Sequence, residues 1–160
     1  MSLRRTELIV EDLGKAYLTS HDRQPVWALR DVSFEAYEGE FVSVVGPSGC
    51  GKSTLLNCID GLIRPTDGRI LIDGVEVLGP GKDRAMVFQS SLLFPWRSVL
   101  GNILYGLEIQ RIPKSDALER AHRFVKLTGL SGFEGHYPRE LSGGMQQRVG
   151  LARALAIDPE

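Results

Sequence analysis

Cysteine is nearly absent from this sequence of 160 residues. Cys50 and Cys58 are the only two, too few for a framework of several bridges, and they do not form a C-x-x-C pair. Neither a disulfide scaffold nor a zinc site is suggested. The three histidines, His21, His122 and His136, are scattered without metal-ligand spacing and read as surface residues. No uninterrupted apolar run approaches the length of a membrane span, and the stretch Met1 to Glu7 is not followed by the apolar core of a signal peptide. Charge is not biased either: 19 basic and 20 acidic side chains leave a net charge of −1 with no basic block, which argues against nucleic acid as the main partner. With 42% hydrophobic residues, the expectation is a globular chain of one domain's size that stays in the cytoplasm.

Against these absences stands one dense motif, Gly46-Pro47-Ser48-Gly49-Cys50-Gly51-Lys52-Ser53-Thr54. Its spacing, G-x-x-x-x-G-K-[ST], is that of a phosphate-binding P-loop, the Walker A motif. Glycines let successive backbone N–H groups turn inward as an anion nest, a lysine reaches the β- and γ-phosphates, and a hydroxyl coordinates Mg²⁺. The flanks suit that role. Phe41-Val42-Ser43-Val44-Val45 reads as a buried strand, and Ser53 to Ile59 reads as a helix whose positive end points at the phosphates. A thiol at such a helix start, Cys50, could have a lowered pKa; the more ordinary reading is a small side chain whose backbone does the binding.

The remaining segments have clear periodicity. Leu8 to Leu18 reads as a strand followed by a polar connection from Thr19 to Pro25, and Val26 to Glu35 as an antiparallel strand with one wet face. Gly39 supplies a tight turn into the P-loop strand. Arg69 to Ile72 and Val75 to Val77 form a hairpin about Asp73-Gly74, and Ala85-Met86-Val87-Phe88 is a further core strand ending at Gln89.

Beyond Gln89 the pattern turns helical. Leu100, Ile103, Leu104 and Leu107 share a face within Val99 to Ile109, and a second helix starts at Ser115 as N-cap and ends before Gly129, with Leu118, Ala121, Phe124, Val125 and Leu127 as its stripe. The last segment, Leu141-Ser142-Gly143-Gly144-Met145-Gln146-Gln147-Arg148, opens a helix capped by Ser142. Two glycines at that start leave bare N–H groups on a positive helix end, a second candidate anion site.

A P-loop, then Gln89 after a strand, then the octet from Leu141 to Arg148, in that order, resembles the nucleotide-binding domain of the ABC transporter family, whose signature the octet matches. The resemblance implies an α/β fold: a P-loop NTPase (RecA-like) core with an N-terminal antiparallel β layer and a helical subdomain. It divides the chain into a β layer and P-loop core over 1–89, a helical subdomain over 90–141 and a signature helix over 142–160. It implies ATP and Mg²⁺ as cofactors. Tyr17 resembles the aromatic residue that stacks on adenine; its rival Trp27 is read as a packing residue. Gly46, Ser48, Gly49, Cys50, Gly51, Lys52, Ser53 and Thr54 match the phosphate loop; Lys52 is the phosphate ligand and Ser53 the metal ligand. Gln89 resembles the Q-loop glutamine, which contacts metal and attacking water. Ser142, Gly143 and Gly144 would bind nucleotide held by a second copy, in an ATP-dependent head-to-tail dimer.

Within the family, Phe94 to Val99, Gly106-Leu107-Glu108 and Tyr137 to Glu140 look most like the ATPases of importers for nitrate, taurine and aliphatic sulfonates. The implied partners are a transmembrane permease received at Gln89 to Val99, with Phe94 and Trp96 exposed, and indirectly a solute-binding protein. The implied location is peripheral, on the cytoplasmic face of the inner membrane. A non-transport ABC ATPase or a hydrolysis-deficient ATP-binding fragment is the alternative; a P-loop kinase has no use for the signature octet.

The family pattern continues with an apolar strand ending in Asp-Glu, a D-loop and a switch histidine. Asp158 and Glu160 follow the end of the signature helix, are separated by Pro159 and do not match that pair, and His136 precedes the signature. The expectation is a domain incomplete at its C-terminus, with the last core strands, catalytic glutamate and switch histidine missing, an apolar edge exposed, and no turnover by the 160-residue piece alone.

Overall fold

The computed structural model describes residues 5–18 and 24–159. The expectations placed on Met1 to Arg4, on Thr19 to Arg23 including His21, and on Glu160 lie outside them. The chain divides into two compact units, Met1–Gly81 and Lys82–Glu160.

The first unit is built on two long strands, β1 (Thr6–Tyr17) and β2 (Val26–Tyr37), which pair antiparallel from Tyr17↔Val26 to Thr6↔Tyr37. The Tyr37–Glu40 turn follows β2, with Gly39 at φ 71 and the Glu40 amide donating to the Tyr37 carbonyl at 2.9 Å. Helix α1 spans Lys52–Ile59. Strands β3 (Asp67–Ile72) and β4 (Val75–Glu76) form the hairpin about Asp73-Gly74, whose φ values of 49 and 77 are those of a two-residue turn with both residues left-handed. The sheet order is β2-β1-β3-β4, and every pairing is antiparallel.

Side chains from one sheet face, Val10, Leu13, Leu29 and Ile70, close with Leu55 and Cys58 of α1 into a core. Each fully buried aliphatic side chain contributes about 1.5–3 kcal/mol. Trp27 packs as expected: its ring edge lies 3.0 Å from where a Cβ on Gly14 would sit, and Arg30 stacks over it at 5.1 Å.

Two expected core strands are not formed. Phe41 to Val45 carries no regular backbone pairing, with Phe41 92% and Val45 87% exposed. Ala85 to Phe88 is likewise irregular. A run that is apolar on both faces holds as a strand only between hydrogen-bonded neighbours. Among the described residues no strand pairs with either segment, and Phe41, Val42, Val44, Val45, Val87 and Phe88 are exposed while Ala85 and Met86 are half-buried.

The second unit is three helices around one core: α2 (Val99–Ile109), α3 (Lys114–Leu127) and α4 (Gly143–Ala156), with a 3₁₀ turn at Pro138–Glu140. Ile103, Leu107, Ala121, Val125, Leu130, Val149 and Ala152 are buried at the centre. Small residues allow close approach: a Cβ on Gly106 would fall 2.3 Å from Ile157 Cγ2. The signature helix therefore shares its core with α2 and α3, and the unit begins at Lys82, ahead of Gln89.

Three local expectations are corrected. Helix α3 begins at Lys114 with Pro113 at the cap position, and Ser115 lies inside it, its hydroxyl bonded to Asp116 rather than to a backbone amide. Proline fixes the entry φ and takes the cap position without a side-chain hydrogen bond. Leu127 is exposed, and Ala117 takes its place in the buried stripe. Phe94 is half-buried, its ring 4.5 Å from that of Tyr105, whereas Trp96 is 71% exposed. Among the described residues no helix is long and apolar enough to cross a membrane.

Candidate phosphate-binding site

The loop between Val45 and α1 is held by its own lysine. Lys52 Nζ donates to the carbonyl oxygens of Gly46 at 2.8 Å and Pro47 at 2.7 Å, with Cys50 Sγ at 3.6 Å. An ammonium has three donors. All three lie inside the loop, so the positive charge sits where the backbone turns. Gly51, at φ 99, is the N-cap of α1, and a Cβ there would meet the Ala28 carbonyl oxygen at 2.5 Å, so this end of the loop packs directly on β2. A Cβ on Gly46 would lie 2.7 Å from Cys50 Sγ.

No side chain caps α1. Its first-turn amides are thus free of the serine contact that closes α2, where Ser98 Oγ accepts from Gly101 N at 3.2 Å, and α4, where Ser142 Oγ accepts from Met145 N at 3.3 Å. An uncapped positive helix end beside an ammonium fits a phosphate chain. Ser53 and Thr54 stand in that first turn, Ser53 exposed, where a hydroxyl can meet a hard cation. Cys50 is exposed, and Cys58 is buried inside the core. Burial pushes the Cys58 thiol pKa up, partly opposed by Lys15.

Tyr17 closes β1 opposite Val26, partly exposed, with Lys15 Nζ 5.3 Å from its ring centroid. In the helical unit, Gln89 is exposed and its carbonyl accepts from Gln147 Nε2 of α4 at 3.4 Å. Ser142, Gly143 and Gly144 begin α4, all exposed. Because the Ser142 hydroxyl accepts the Met145 amide, its own proton is left to donate outward. The chain just before it lines an open cleft of about 490 Å³ between Gly132 and Glu140. Among the described residues, no group of three or more His, Cys, Asp or Glu side chains could hold a metal ion.

Sequence reasoning passed over two residues. Asn102 is fully buried, its amide bonded to the backbone of Phe94, Arg97 and Ser98. Arg153 reaches the carbonyls of Ser91 and Leu92. Burial lowers the pKa of its guanidinium. Each left a signal: a lone amide on the apolar stripe of α2, and a lone guanidinium in the run from Gly150 to Ala156.

These features define a nucleotide-binding chain with a P-loop in an α/β fold. The comparisons with known proteins narrow the class. A family profile described as ABC transporter matches residues 29–160. An uncharacterized ABC transporter ATP-binding protein of Methanocaldococcus jannaschii is 54% identical over 156 residues, 98% of this chain and 58% of that protein. A taurine import ATP-binding protein, TauB of Burkholderia pseudomallei, is 50% identical over 137 residues, 86% of this chain and 53% of its own length. Among solved structures, a dimeric ATP-binding cassette in a post-hydrolysis state bound to ADP and Pi superposes with a TM-score of 0.86 at 35% identity, over 95% of this chain and 70% of that one. The chain belongs to the ABC transporter family. It spans little more than half the length of these two curated relatives.

Proposed function

We propose that this chain is the ATP-binding part of an ABC importer subunit, which couples binding and hydrolysis of MgATP to uptake of a small solute such as taurine, nitrate or a sulfonate. The observation that carries the reading is the presence, in one chain, of two differently prepared helix starts. One, at α1, is uncapped and has Lys52 folded into its loop. The other, at α4, is capped by Ser142 with the hydroxyl proton free to donate. Bound MgATP would supply the phosphoryl group whose transfer to water drives the cycle.

Lys52 would exchange its loop carbonyls for phosphate oxygens, and the glycine backbone would orient the chain of phosphates. Ser53 and Gln89 would hold the metal, and Tyr17 would offer its ring to the base. Ser142, Gly143 and Gly144 would serve the nucleotide of a second copy, which makes the working unit a head-to-tail dimer whose association depends on ATP. The Gln89–Val99 segment, with Trp96 exposed, would receive a transmembrane permease and place the protein on the cytoplasmic face of the inner membrane, with a solute-binding protein acting through that permease. The identity to a taurine import ATP-binding protein supports the solute class.

The test is purification of the natural full-length protein from membranes. Co-purification with a polytopic membrane protein, and ATP hydrolysis stimulated by it and lost in Lys52→Ala, is the expected result. A protein that is wholly soluble and hydrolyses ATP without any membrane partner would overturn the importer reading.

A further inference from the structure

The segment from Gln89 to Ser98 has no regular structure, yet hydrogen bonds from α2 and α4 hold it at Gln89, Ser91, Leu92, Phe94, Arg97 and Ser98. On one side it is bound by α4. Arg153 Nη1 donates to the Leu92 carbonyl at 3.0 Å and Nη2 to the Ser91 carbonyl at 3.3 Å, with the guanidinium 5.6 Å from the Phe94 ring centroid. Ser91 Oγ donates to Gln146 Oε1 at 3.2 Å, and Gln147 Nε2 donates to the Gln89 carbonyl at 3.4 Å. A Cβ on Gly150 would lie 3.4 Å from the Ser91 carbonyl oxygen, so helix and segment run in direct contact.

On the other side it is bound by α2. The Phe94 amide donates to Asn102 Oδ1 at 2.8 Å, and Asn102 Nδ2 faces the carbonyls of Phe94, Arg97 and Ser98 at 3.2, 3.0 and 3.0 Å. Leu92 sits at φ 41, a left-handed conformation that a leucine rarely keeps unless its surroundings impose it. Arg153 holds the carbonyls on both sides of that Cα.

We propose that Arg153 and Asn102 are positioning residues that clamp the Ser91–Ser98 segment onto α4 and α2, so that a load applied at exposed Trp96 reaches the Ser142 end of α4 as a rigid displacement. This rests on the importer reading for the source of the load. A helix is a stiff connector, and the eleven positions from Ser142 to Arg153 place the clamp about 16 Å along α4 from the signature serine. A bidentate guanidinium across two consecutive carbonyls resists rotation of the strained turn in a way that a single-point contact does not.

The test uses the natural full-length protein, free and in proteoliposomes with the membrane protein that co-purifies with it, in wild-type, Arg153→Gln and Arg153→Lys forms. In Arg153→Gln, amides of Leu92 to Trp96, proline aside, should exchange hydrogen at least tenfold faster while those of Ile103 to Leu107 are unchanged. Affinity for MgATP and basal hydrolysis should stay within twofold, and stimulation by the membrane protein should fall at least fivefold. Arg153→Lys, which can keep one carbonyl, should fall between. Unchanged exchange at Leu92 to Trp96, equal acceleration across Ile103 to Leu107, or undiminished stimulation in Arg153→Gln would each overturn the clamp. If the wild type is not stimulated by any membrane partner, the importer reading fails, and the exchange result alone decides whether the clamp exists.

Discussion

Lys52 donates from Nζ to the Gly46 carbonyl at 2.8 Å, so the side chain that begins α1 reaches back to close the loop that precedes it. If Lys52 is the phosphate ligand, its ammonium would exchange these neutral acceptors for charged ones on nucleotide binding, and a charge-assisted hydrogen bond is worth about 1.5–3 kcal/mol. Lys52→Ala should therefore weaken MgATP binding about ten- to hundredfold by calorimetry. The unliganded thermal midpoint should move by no more than about 2 °C, because the loop that Lys52 holds is exposed from Gly46 to Cys50. Unchanged affinity would remove the lysine from the site.

Gly51 and Ala28 set a second expectation. A methyl group at Gly51 would press on the Ala28 carbonyl at 2.5 Å and would have to hold φ 99, whereas at Gly49, with φ 83, the space is open. Left-handed strain alone costs about 1–2 kcal/mol. Gly51→Ala should lower unfolding stability by about 2–4 kcal/mol in urea titration, and Gly49→Ala by only about half as much. Equal losses would mean that loop and strand part easily.

The two thiols should separate cleanly. Cys50 is exposed within the loop, while Cys58 is 1% exposed and its pKa is raised by burial, so it presents neither access nor thiolate. N-ethylmaleimide should take up one equivalent quickly and the second only on unfolding, and Cys50→Ser should abolish the fast phase. MgATP should slow labelling of Cys50. Fast labelling of both thiols in native protein would contradict the burial of Cys58.

Glu134 gives the stability an acid limb. The backbone amides of Glu134 and Gly132 bond its carboxylate and hold its pKa below the ordinary 4.5, with His122 and His136 adding smaller pulls in the same direction. A carboxylate with a lowered folded pKa stabilises the fold above its unfolded value, and that contribution is lost as pH falls through the folded one. The thermal-midpoint gap between wild type and Glu134→Gln should be fully present above pH 4.5 and shrink as pH falls below it. A gap that persists into acid would assign the effect to shape rather than charge.

Local chemistry was legible where neighbours in sequence are neighbours in space. The Asp73-Gly74 turn, the span Val99–Ile109 and the Ser142 cap all follow from residues within one turn of each other. The Ser115 cap failed against a competitor two positions away, because Pro113 already fixes the helix entry. Phe41 to Val45 failed for a different reason: its apolar character is local, but a strand exists only by pairing, and the described sheet is completed by β1 to β4 without it. Asn102 and Arg153 went unread because a buried amide and an arginine in an alanine-rich helix acquire meaning only from the backbone opposite them.

By itself the sequence determined that this chain carries a phosphate loop and a serine-capped signature helix, because both are written in consecutive residues whose backbone preferences and donor groups act locally. Tertiary structure decided that Lys52 turns its charge inward onto Gly46 and Pro47, that β2 leaves no room beside Gly51, and that an irregular segment ending near Trp96 is fastened to the signature helix. Lys52 finds its carbonyls within its own folded loop, whereas Gly51 meets Ala28 and Arg153 meets Leu92 across long stretches of chain that only packing brings together.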